Sequence, residues 1–172
     1  MNYVICFARP EPVRFPSDVL LIQKQRPAWQ VGRYNLPGGK IEEDETIHEA
    51  GIRELYEEAG IMTAQIRIMG TIEGEGYIVY VCECRYDISD PRNDATSMTD
   101  EPVLWMPLVQ ALRDPLLIDN LRIVLPFCYA ELVGWHIRTQ EQSFCPTQTN
   151  VTFEEINETT DVPKPLFFGP VG

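Results

Sequence analysis

The groups best placed to do chemistry are concentrated in residues 39–61. The stretch begins Gly39-Lys40-Ile41-Glu42-Glu43-Asp44-Glu45 and ends Arg53-Glu54-Leu55-Tyr56-Glu57-Glu58-Ala59-Gly60-Ile61. At about 100° per residue, a helix here brings Glu54, Glu57 and Glu58 within an arc of about 100° and sets Gly51, Ile52, Leu55 and Ala59 on an adjoining arc. One face packs while its neighbour presents three carboxylates. When exposed, adjacent carboxylates repel by roughly a few tenths of a kcal/mol per pair. Partial burial raises that cost until a proton or a hard cation offsets it. An all-oxygen donor set selects Mg²⁺ or Mn²⁺ over zinc. Glu49 and Arg53, at i and i+4, are spaced to pair on the third side of the helix. A solvated acidic helix is the plainer alternative, but the cluster has no interleaved lysines and the glycine pair Gly38-Gly39 directly precedes it.

The elements that must position this cluster flank it on both sides. The helix itself is predicted over residues 46–59, stopped by Gly60. Upstream, residues 3–7 and 19–22 are short apolar runs that predict strands, the second ending at Lys24. Pro10, Pro12 and Pro16 exclude a central strand or a helix between them. Residues 26–39 are loop-like, punctuated by Pro27, Gly32, Pro37 and the glycine pair. Downstream, residues 64–72 and 77–85 predict strands joined in a hairpin through Gly74-Glu75-Gly76. A polar, turn-rich loop follows to Glu101, then a short apolar run at 103–106 and a helix over 116–133, bent at Pro126. No internal repeat is seen. The mixed order of strands and helices predicts an α+β fold with a mixed sheet. One domain is expected over residues 1–138, with a C-terminal extension over 139–172, packed or partly disordered.

Composition bounds the partners. The chain has 172 residues, 44% hydrophobic and 23% charged, enough to bury a core, so wholesale disorder is excluded. Lys and Arg number 14 against 26 Asp and Glu, a net charge of −12, which repels nucleic-acid polymers and anionic membranes. The five cysteines (Cys6, Cys82, Cys84, Cys128 and Cys145) are odd in number and have no framework spacing. Reduced structural thiols are expected, as suits a cytoplasmic protein. Asn150-Val151-Thr152 and Asn157-Glu158-Thr159 have sequon form, but the first residues do not resemble a signal peptide. No apolar run approaches the roughly 20 residues of a membrane span.

The stretch at 39–61 resembles the Nudix box, G-x5-E-x7-R-E-U-x-E-E-x-G-U with U aliphatic, and meets every specified position. The resemblance implies an α/β/α sandwich around a mixed β-sheet, and Mg²⁺-dependent (or Mn²⁺-dependent) hydrolysis of a nucleoside diphosphate linked to a further group. It implies that Glu57 and Glu58 are metal ligands and that Glu54 is a further ligand or a general base. The carbonyl of Gly38 is similar to another family ligand. Gly39 belongs to the box framework, and Glu45 and Arg53 match the pair that braces it. A last catalytic carboxylate comes from outside the box. Glu101 is favoured, because Asp100-Glu101 and the apolar run through Trp105 resemble the segment that supplies it in some members. Glu73, Glu75 and Glu83 are its rivals.

Substrate choice must come from elsewhere. Residues 20–24 and 32–35 look similar to stretches in hydrolases of oxidised purine nucleoside triphosphates. The resemblance implies that Lys24 lies near substrate, that Asn35 contacts the base, and that Asp119-Asn120 reads the purine edge, although the aromatic beside that pair is Leu117 here. Plainer readings are that Asn35 shapes a turn and Asp119-Asn120 caps a helix. Tyr77, 16 residues beyond the box, stands where members acting on dinucleoside polyphosphates often place a tyrosine. Trp29 could stack on a base or cover the core. The leading expectation is cleavage of a nucleoside triphosphate to the monophosphate and pyrophosphate. Dinucleoside polyphosphates, ADP-ribose-like compounds or a non-catalytic nucleotide sensor are the alternatives. The family often dimerises, and the tail, with Phe144, Phe153, Leu166, Phe167 and Phe168, offers surface for a homodimer or for packing onto its own domain.

Overall fold

In a computed structural model, residues 1–12, 17–139 and 149–153 are described. β1 (Asn2–Glu11) and β6 (Tyr77–Asp87) run parallel, from Asn2 opposite Ile78 to Glu11 opposite Asp87. Their side chains alternate between two cores, as the twofold period of a strand requires. Val4, Cys6, Ala8, Tyr80, Cys82 and Cys84 enter one core, and Ile5, Phe7 and Val81 the other. β4 (Gly38–Lys40) pairs antiparallel with the far edge of β1. β5 (Gln65–Gly74) pairs antiparallel with β6 across the expected hairpin, Gly74 opposite Tyr77. β8 (Trp135–Thr139) joins β5 in parallel, and β9 (Thr149–Phe153) pairs antiparallel with β8. The resulting order is β4-β1-β6-β5-β8-β9. A second sheet sets β2 (Asp18–Gln23) between β3 (Tyr34–Asn35) and β7 (Val103–Pro107).

Helices cover both sides. α1 (Ile47–Ala59) starts at a capping box, in which the Thr46 hydroxyl accepts from the Glu49 amide and the Glu49 carboxylate accepts from the Thr46 amide, and it ends at Gly60 in the left-handed conformation. It buries Ile47, Ala50, Leu55 and Ala59 against the core of Val4 and Cys6. α2 (Leu108–Arg113) and α3 (Leu121–Tyr129) close the other core, to which α3 contributes Leu121, Val124, Leu125 and Cys128. β2 serves both cores, with Leu20 in one and Val19 and Leu21 in the other. Each such side chain contributes about 1.5–3 kcal/mol on burial. The architecture is the expected α/β/α sandwich around a mixed sheet.

Several local expectations are corrected. β1 runs on through Pro10, which is paired opposite Tyr86. Because β4 pairs only with Tyr3, Val4 and Ile5, the edge of β1 at Pro10 needs no amide donor. Residues 26–39 are not wholly loop, since they hold a 3₁₀ turn at Ala28–Gln30 as well as β3 and the start of β4. The helix expected over 116–133 shrinks to α3, because the backbone of Leu116 and Ile118 is bonded to Tyr34 on β3 instead. α2 and β8 were not anticipated. Of the C-terminal segment only residues 149–153 are described, and they lie on the sheet as β9. Phe144, Cys145, the Asn157 sequon, Leu166, Phe167 and Phe168 fall outside the described residues. No helix among the described residues is long and apolar enough to cross a membrane. Four cysteines, Cys6, Cys82, Cys84 and Cys128, are buried and free.

Candidate active site

β4 delivers the glycine pair beneath α1. At Gly38, φ is +153°, and a Cβ there would lie 2.1 Å from the Val4 carbonyl oxygen. A Cβ on Gly39 would lie 2.3 Å from a carboxylate oxygen of Glu54. The missing side chains let β4 seat on β1 and let Glu54 lie down on β4. The Gly38 amide donates to Glu58 Oε2 at 2.7 Å, so it is the amide of Gly38 that engages the helix.

A second link ties α1 to the loop before β7. Lys24, one residue beyond β2, donates to Glu58 Oε1 at 3.2 Å and to Glu101 Oε2 at 2.6 Å. Glu101 Oε1 accepts from the Gln25 amide at 2.7 Å. All three side chains are buried, with Lys24 and Glu58 each 9% exposed and Glu101 2%. The structure thus brings Glu101 to the helix carboxylates through Lys24. Burial pushes the Glu58 carboxyl above the usual range, against the pull of the Lys24 charge and the Gly38 amide. Burial likewise raises Glu54, opposed by its bond to Arg53. For Lys24 burial acts downward, but Glu58 and Glu101 together override it and hold the ammonium above its ordinary value.

Arg53 braces the opposite flank. Its Nε and Nη2 donate to the two oxygens of Glu45 at 2.7 and 2.8 Å, and its Nη1 reaches Glu54 at 2.8 Å and Glu57 at 3.2 Å. Nη2 also donates to the Lys40 carbonyl, fastening α1 to β4. The Arg53 bond pulls Glu45 below the usual carboxylate range. The expected Glu49–Arg53 pair does not form, because Glu49 is turned back to the Thr46 cap. Glu57, its side chain 55% exposed, stands at the rim.

These oxygens are hard donors of the kind Mg²⁺ or Mn²⁺ selects, and among the described residues the cations that match the buried acids of the site are Lys24 and Arg53. Among the described residues, no three His, Cys, Asp or Glu side chains are arranged to hold an ion. The donor chemistry fits a divalent cation, while the ammonium and the guanidinium take up the carboxylates.

The rival acids lie elsewhere. Glu73 is bonded to Arg138, and Glu75 sits in the hairpin turn. Glu83, 1% exposed, is bonded to Arg9, Arg67 and Arg85. The residues expected to read a base gather on another side of the same loop. Tyr34 pairs with the backbone of residues 116–118, which brings β3 beside Asp119. Asn35 Oδ1 accepts from the Leu36 amide and its Nδ2 donates to Gln30, so its side chain shapes the loop. Asp119 is paired with Arg33 at 3.3 Å, a partner that sequence reading missed although Arg33 stands two residues before Asn35. Asn120 Oδ1 is buried with no hydrogen-bond partner, and neither Asp119 nor Asn120 caps α3 through its side chain. This group is joined to the acidic cluster by backbone, since the Lys24 amide donates to Arg33 O and the Gly32 amide to Lys24 O.

The chain is similar to several known proteins. A mouse oxidized purine nucleoside triphosphate hydrolase is 42% identical over 60 residues, 35% of this chain and 38% of that protein. An 8-oxo-dGTP diphosphatase from Proteus vulgaris is 36% identical over 56 residues, 33% of this chain and 50% of that one. The chain therefore spans no more than half the length of these curated relatives. The solved structure of a mutator MutT protein from Bacillus halodurans superposes with a TM-score of 0.67 at 18% identity, over 87% of this chain and 96% of that one, a likeness of fold. The NUDIX domain family model matches residues 4–126, from β1 into α3, and the chain belongs to that family.

Proposed function

We propose that the chain is a Mg²⁺-dependent pyrophosphohydrolase that cleaves a nucleoside triphosphate to the monophosphate and pyrophosphate, with oxidised purine triphosphates as the leading class. The observation that carries this reading is the cluster in which Glu54 lies on Gly39 while Glu58 and Glu101 share Lys24. The activities for which the mouse and Proteus relatives are named support the substrate class. Glu57, Glu58, Glu54 and the Gly38 carbonyl are the groups that would hold Mg²⁺, or Mn²⁺ in its place. When bound, the cation supplies positive charge at the phosphate oxygens and acidifies water. The chain's own residues do the rest. Glu54, its carboxyl raised by burial, is a stronger base than an exposed carboxylate and suits the acceptance of a proton from water. Arg53 and Glu45 hold Glu54 and Glu57 at fixed positions, so little reorganisation is needed as charge develops. Glu101, pinned by the Gln25 amide, adds the carboxylate from outside the box. Asn35, Asp119 and Asn120 flank the loop where a base would be read, and Arg33 holds the Asp119 carboxylate.

With a net charge of −12 the protein meets a polyphosphate only as its cation complex, and nucleic-acid polymers are not its partners. The free, buried thiols suit a reducing cytoplasm. The test is a panel of ordinary and oxidised triphosphates, dinucleoside polyphosphates and ADP-ribose, incubated with Mg²⁺ and resolved by product. Monophosphate with pyrophosphate, strongest for oxidised purines, is expected. Silence across the panel with nucleotide binding intact would instead make the chain a sensor.

A further inference from the structure

Among the described residues, Lys24 is the cation placed between the two most buried acids of the site, Glu58 and Glu101. Glu58 and Glu101 are held in the same way, each with one oxygen accepting from a backbone amide (Gly38 for Glu58, Gln25 for Glu101) and the other from the Lys24 ammonium. The ammonium therefore donates to the oxygen that each carboxylate has left free of a backbone amide. Arg53 cannot substitute for it, being committed to Glu45, Glu54, Glu57 and the Lys40 carbonyl.

We propose that Lys24 is the resident counter-ion of the site: it holds Glu58 and Glu101 in place before a divalent cation arrives, and it is the group such a cation must displace to gain Glu58. The inference rests on the metal-dependent reading above and makes Lys24 a positioning residue that sets the metal affinity. Without the ammonium, Glu58 and Glu101 face one another across a buried gap with Glu54 on the same helix face. The metal-free fold then loses stability and the site attracts an external cation more strongly. A lysine with a purely structural role would lower stability and leave metal affinity unchanged.

The test titrates Mn²⁺ into the full chain, reading free ion by electron paramagnetic resonance and unfolding midpoints in chelator and in Mn²⁺. Wild type, Lys24→Gln and Glu57→Gln are compared. The expected result is a lower midpoint for Lys24→Gln in chelator, Mn²⁺ binding tighter than wild type by about tenfold or more, and a midpoint restored by Mn²⁺. If Lys24→Gln binds Mn²⁺ no more tightly than wild type while Glu57→Gln binds more weakly, the metal reading stands and the counter-ion role is overturned. If wild type shows no saturable Mn²⁺ binding, both fall. Should Lys24→Gln be unfolded in chelator, folding on addition of Mn²⁺ but not of K⁺ is the expected result, and failure to fold with either overturns the inference.

Discussion

At the scale of single residues, the glycine pair separates fold from function. Ala at 38 drives a methyl into the Val4 carbonyl and the Ile5 backbone, neither of which can move without parting β4 from β1. Gly38→Ala is expected to cost about 3 kcal/mol or more, read as a fall in the urea midpoint. Ala at 39 meets only the carboxylate end of Glu54, a flexible group that can swing away. Gly39→Ala is expected to keep a near-normal midpoint and lose most of its turnover; an unaltered rate would remove Glu54 from the chemistry. Much of this was legible in the sequence, because box residues at helical spacing must share a face whatever the rest of the fold does. Glu101 could be ranked but not placed, since its position depends on Lys24, 77 residues away in the chain. Arg33 was missed because its partner, Asp119, is 86 residues distant and nothing local marks the pair.

At the scale of elements, the carboxylates divide by sign. Glu83 joins β6 to β1 and β5 through three arginines. Burial acts to raise its carboxyl, but the Arg85 bond and the charges of Arg9 and Arg67 outweigh it and hold it below the usual range. A lowered folded value contributes stability above the unfolded value, near pH 4.3, and loses it as pH falls through the folded value. Glu83→Gln should therefore cost roughly 3–5 kcal/mol at pH 7, the cost of breaking a buried pair. The gap between variant and wild type should narrow below about pH 4.3. Urea midpoints at pH 7 and pH 3 check this, and a gap unchanged at pH 3 would speak against it. Glu54 and Glu58 act in reverse: their raised values favour the metal-free fold below the unfolded value, and that contribution is lost as pH rises through the folded values. α1 was readable because the cap at Thr46, the periodicity over 13 residues and the stop at Gly60 all agree. The helix expected from residue 116 was not, because Tyr34, distant in sequence, captures the backbone that would have begun it.

At the scale of the whole molecule, the six-stranded sheet ends in β9, whose pairing with β8 covers the edge that β8 would otherwise leave open. Ending the chain after Thr139 should lower the unfolding midpoint and promote association through the bared edge of β8, seen as increased mass in solution. A truncated chain as stable and as small as the full one would make β9 dispensable. An α+β fold with a mixed sheet could be inferred from the order of strands and helices, and the sandwich from the resemblance of residues 39–61 to the Nudix box. The strands at 135–139 and 149–153 could not, because their short, mixed-polarity sequences gain strand character only by pairing with β5 and with each other.

If the box carboxylates drive cleavage of a triphosphate, Glu57→Gln exposes it, because this half-exposed side chain can lose its charge with little effect on packing. Turnover of an oxidised purine triphosphate in Mg²⁺ should fall by about 10²–10³-fold at an unchanged unfolding midpoint. Near-wild-type turnover in that variant would contradict the assignment of the site.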